Sequence, residues 1–163
     1  MYKRQFFYFE LVKIYGDVPL FTHGRLTAGD SGTLTRVPKS EVYAVIESDL
    51  NSAISALPAQ KSTDGRATSF TAHALLGKVY LYQGKYSEAA NILEPLIGLY
   101  TLPSNPGSVF LVSGENGPES VFEIQHSKES NGWNWGWLPQ STEGNFGVIH
   151  HGIRGYNGPT YSS

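Results

Sequence analysis

The sequence predicts a mainly α protein, built of helical hairpins with long irregular loops and little β-structure. Three observations carry that expectation. Two antiparallel helices read directly from Ala72 to Leu99, apolar stripes at helical spacing precede them, and the remaining stretches are rich in Gly, Pro and aromatic residues without any helical period.

In the central stretch, Ala72, Leu75, Leu76, Val79 and Tyr80 recur at helical spacing with Lys78 and Gln83 between them, which describes a helix with one buried face. Gly84 and Lys85 break the pattern. Ser87 is then expected to cap a second helix by accepting from its first free N–H groups, with Tyr86 just before it and Glu88 at its positive end. Leu76, Gly77, Tyr80, Gly84, Tyr86, Ala89 and Leu93 stand at the offsets of a tetratricopeptide helix pair, so Gly77 and Ala89 are expected to face each other at a close approach. A single such pair cannot bury its own face, and neighbouring helices are expected to cover it.

Along the chain, residues 2–15 place Phe6, Phe7, Phe9, Val12 and Tyr15 among Lys3, Arg4 and Lys13, a helix apolar over more than half of its circumference. Gly16 ends it. Asp17 to Phe21 leaves as an extended segment, because the residue before Pro19 is pushed out of helical geometry. Residues 22–37 have no period and read as a surface loop. Pro38 fits the first turn of a helix whose stripe is Val42, Tyr43, Val45, Ile46, Leu50, Ile54 and Leu57, with Glu41, Glu47, Ser48 and Asn51 facing away. Pro58 closes it, and residues 59–69 form a polar connection containing the Asp64-Gly65 turn pair. Pro95 removes a backbone donor and should end or kink the last helix near Glu94. Residues 1–99 therefore read as a helical scaffold. Residues 100–163 read as a loop-rich segment of the same incomplete domain, with strand character at residues 121–125.

Composition narrows the function. Hydrophobic residues make up 40% and charged residues 16%, which is globular. Twelve Lys and Arg against fourteen Asp and Glu give a formal charge of −2, so no electrostatic footprint for nucleic acid exists. Without cysteine there is no disulfide, thiolate metal site or cysteine nucleophile. The carboxylates are scattered and read as solvated or capping groups rather than as an acid and base pair. His150 and His151 are adjacent and lack a partner at ligand spacing. Gly114 to Gly117 lacks the alternation of a calcium loop. No metal or cofactor and no enzymatic activity are expected.

The informative cluster is Asn131-Gly132-Trp133-Asn134-Trp135-Gly136-Trp137. Tryptophans spaced by two on an extended chain project to one side. Flat indole faces beside amide groups suit a sugar, whose C–H face stacks while its hydroxyls form hydrogen bonds. Trp133, Asn134, Trp135, Trp137 and, further on, Tyr156 are the candidate ligand contacts, against the plainer reading that these rings seal the core beneath a loop.

The ordered series FYFELVKIYGDVPLFT, PKSEVYAVIESDLNSAISALP, GRATSFTAHALLGKVYLYQGKYSEAANILEPLI and ESVFEIQHS resembles the SusD/RagB family of glycan-binding outer-membrane lipoproteins. It covers Phe7 to Ser127 in the family's order. The resemblance implies an internal fragment of a longer nutrient-uptake protein with a tetratricopeptide-like scaffold, and loops that hold an oligosaccharide or another nutrient. It also implies a SusC-like TonB-dependent transporter as partner, a surface-exposed place on the outer membrane, and attachment through a lipid anchor outside these residues. Pro38 stands where the family often has a Ser or Thr cap, and Pro95 interrupts a helix that is commonly unbroken. Two other readings are a tetratricopeptide-type protein-interaction scaffold without glycan binding, which would need several tandem repeats, and a glycoside hydrolase, which would need two converging carboxylates.

Overall fold

The computed structural model describes residues 2–22, 27–32, 34–59 and 64–125. The chain separates into two units, Met1–Glu123 and Ile124–Ser163, and the described architecture belongs to the first. Its elements are α1 (Tyr2–Tyr15), β1 (Val18–Pro19), β2 (Arg36–Val37), α2 (Lys39–Ala56), α3 (Ser69–Tyr82) and α4 (Tyr86–Leu93), with short 3-10 turns between and after them. Each helix packs on the next in sequence. The mainly α expectation holds.

The core lies between the first three helices. Phe9 and Val12 of α1, Val42, Ile46, Leu50 and Ala53 of α2, and Ala72, Leu75, Leu76 and Val79 of α3 form one buried cluster, joined by Val18 of β1. These positions follow the 3.6-residue period, so each helix turns a single apolar face inward. The opposite face of α1 is not covered among the described residues: Phe7, Leu11 and Ile14, at i, i+4 and i+7, are 64%, 41% and 69% exposed.

The ends of α1 and α2 are joined. Gly16 adopts φ +68° and its N–H donates to the Val12 carbonyl at 3.0 Å, a left-handed helix stop that glycine reaches without steric cost. The chain then pairs β1 with β2 in antiparallel register, Val18 opposite Val37 and Pro19 opposite Arg36. The 22–37 stretch is therefore not wholly loop: it also contains a 3-10 turn over Ala28–Gly32. Pro38 sits one residue before α2 rather than inside its first turn, and its carbonyl accepts from Glu41 and Val42. No side chain at Pro38 can cap the helix. Asp17, just before β1, does so, its Oδ1 accepting from the Lys39 N–H at 2.8 Å.

Helix α3 begins earlier than the apolar pattern suggests. Thr68 and Thr71 exchange side-chain-to-backbone hydrogen bonds at 3.2 and 3.1 Å, a reciprocal cap that starts the helix at Ser69. The Ser69 N–H donates to the Pro58 carbonyl at 2.9 Å and ties α3 to the end of α2. At the other end Gly84 has φ +74°, the Gly84 N–H donates to Leu81 and the Lys85 N–H to Tyr80, the paired bonds of a Schellman stop. Helix α4 follows at once. Lys85 is its cap residue and Ser87 lies inside its first turn, so the expected Ser87 cap is incorrect. The Schellman turn delivers the chain into helical geometry two residues sooner than a serine cap would.

The two helices of the hairpin meet closely at Gly77. A Cβ added to Gly77 would lie 2.5 Å from Leu93 Cγ, with both Leu93 methyls under 3.0 Å, so the side chain that Gly77 admits is Leu93. The turn explains it. Gly77 and Leu93 each stand eight residues from Lys85, which lets them meet across the hairpin. Ala89 is also buried.

Pro95 acts as its chemistry dictates. Helix α4 stops at Leu93 and a 3-10 turn over Glu94–Leu96 carries the proline at its start. Residues 100–125 contain two further 3-10 turns, Pro106–Phe110 and Val112–Gly114. The strand expected at residues 121–125 does not form among the described residues. Instead the Val121 carbonyl accepts from the Thr71 hydroxyl at 3.4 Å, and the Thr101 N–H donates to Pro118 at 3.1 Å.

Candidate functional site

The sequence-derived contacts Trp133, Asn134, Trp135, Trp137 and Tyr156 lie outside the described residues, as do His150 and His151. The described residues speak instead to the carboxylates, and half of these have structural tasks. Asp49 accepts from the Arg4 guanidinium and from the Gln5 amide, joining α2 to α1, while Arg4 also donates to the Thr22 carbonyl at 3.0 Å. Gln5 is fully buried. Burying an amide is tolerable because the aspartate takes one of its protons.

Glu47 was expected to face away from the core, but its Oε1 accepts from Gln83 at 2.7 Å and from Lys85 at 2.6 Å. It thereby anchors the α3–α4 turn to α2. Asp17 caps α2, and Glu10 pairs with Lys13 one turn later on α1 at 2.7 Å. Asp30 accepts from both the hydroxyl and the N–H of Thr27 at 2.7 Å, and the hydroxyl foremost holds its carboxyl below the usual range. Glu123 accepts from the Asn116 N–H with both oxygens at 3.0 Å, where Asn116 takes φ +54°. Among the described residues no group of three or more His, Asp or Glu side chains could hold a metal ion.

A depression of about 400 Å³ opens between the start of α3 and the segment after α4. Phe70, Leu99, Tyr100, Pro118 and Ser120 line it. Burial raises the Tyr100 phenol above its usual value, and the Ser120 hydroxyl is buried without a hydrogen-bond partner among the described residues. Among the described residues no carboxylate lines this depression. These residues offer apolar contact and hydrogen bonding. No periodic signal in the sequence points to it, since its walls come from separate segments of the chain.

The helical stack and its connecting segments have known counterparts. The family model described as "Starch-binding associating with outer membrane", SusD-like, matches residues 1–81. SusD-like protein P2 of Formosa agariphila is 33% identical over 87 residues, which is 53% of this chain and 17% of that relative. A solved laminarin-binding SusD-like protein superposes with a TM-score of 0.75 at 38% identity, covering 87% of this chain and 33% of its own. The surface glycan-binding protein A from Bacteroides thetaiotaomicron, solved in complex with laminarihexaose, gives a TM-score of 0.67 at 26% identity, covering 82% and 28%. These likenesses define a SusD-like protein. The chain belongs to the SusD/RagB family, and it spans a third or less of the length of these relatives.

Proposed function

We propose that this chain is part of a glycan- or nutrient-binding component of a bacterial outer-membrane uptake system. In this reading it holds an oligosaccharide at the cell surface without cleaving it and passes it to a SusC-like TonB-dependent transporter. A lipid anchor attaches the protein to the membrane, and the helical stack serves as the scaffold that carries the ligand loops.

The observation that supports this most is the family match together with relatives that bind laminarin and laminarihexaose. The structural duties of Asp17, Glu47, Asp49 and Glu123 agree with binding rather than hydrolysis, since a glycosidase needs two carboxylates converging on one bond. Trp133, Trp135, Trp137 and Tyr156 supply stacking faces and Asn134 supplies amide hydrogen bonds. The test is titration of laminarihexaose and a panel of other oligosaccharides, followed by tryptophan fluorescence and analysis of the recovered sugar. Saturable binding with the sugar returned intact supports the reading, and alanine at a stacking tryptophan should weaken it by about 1–3 kcal/mol. Cleaved sugar, or binding indifferent to all three tryptophans, overturns the role or the residues respectively.

A further inference from the structure

We draw no further inference here: the strongest candidate, the exposed apolar stripe of Phe7, Leu11 and Ile14 on the outer face of α1, carries none because nothing in the structure shows what covers it.

Discussion

Leu93 of α4 occupies the space that a side chain on residue 77 of α3 would need, so Gly77 sets how closely the two helices of the hairpin approach. A helical Gly to Ala change ordinarily gains about 0.5–1 kcal/mol from reduced backbone freedom. Here it should lose instead. Gly77→Ala should destabilise by about 1–3 kcal/mol through overpacking against Leu93, and Gly77→Leu by more. Thermal unfolding measures this, and adding Leu93→Ala to Gly77→Ala should restore part of the loss, because the two sites share one contact. A Gly77→Ala variant that melts with the parent would contradict the register described.

Asp17→Ala should cost about 0.5–2 kcal/mol, the usual range for losing a helix cap, although the residue lies 22 positions before the N–H it serves. Denaturant unfolding of the Asp17→Ala and Asp17→Asn variants separates the cap from the charge. If Asp17→Ala unfolds like the parent, the α2 N-terminus has no need of this acceptor.

Asp49→Ala removes the acceptor shared by Arg4 and Gln5. Gln5 is fully buried, and the Arg4 side chain is only 34% exposed. The expected loss is about 1–3 kcal/mol, the cost of leaving such donors unsatisfied with allowance for the water that reaches Arg4. Replacing Arg4 and Asp49 together should cost less than the sum of the two single changes.

The carboxyl of Asp30 should titrate below an ordinary aspartate, and Thr27→Ala should raise it by removing the hydroxyl that contributes most. The folded value lies below the unfolded one. Its contribution to stability is therefore present above the unfolded value and lost as the pH falls through the folded one. NMR titration of the side-chain carboxyl in both proteins reads the change, and identical curves would remove Thr27 from the account.

The open face of α1 should make the isolated chain bind an apolar dye or self-associate. Substituting Phe7, Leu11 and Ile14 with glutamine should reduce both without lowering the melting temperature, because none of the three belongs to the buried cluster. A dye-silent monomer would mean that this stripe is already covered.

Legibility from sequence followed the range of the interactions. The stripe Val42, Ile46 and Leu50, the stop at Gly16 and the break at Pro95 are set by residues within a few positions, and each was readable in order. The cap on α2 was not, because it comes from Asp17 across a strand pair of only two residues each, too short to show alternation. Glu47 looked solvated because its partners Gln83 and Lys85 become neighbours only after α3 folds back on α2. Ser87 had suitable cap chemistry, but the Schellman bonds of Gly84 and Lys85 determined where α4 begins. The ligand contacts were legible only as local chemistry around Trp133 to Trp137. No periodic element fixes their direction, and they fall outside the described residues.

One phenol has a wider effect on how this chain tolerates change. The Tyr8 hydroxyl accepts from the Phe21 N–H at 2.7 Å and is 3.2 Å from the Phe21 carbonyl, to which it donates, so α1 holds both polar groups of a single backbone residue. Val37 is fixed in turn against Val18. The excursion between Phe21 and Arg36 is thus clamped at both feet on α1 and its following strand. Doubling its length would add only about 0.6 kcal/mol of closure entropy. That makes it a place where insertions can accumulate and diversify while the helices keep their alignment.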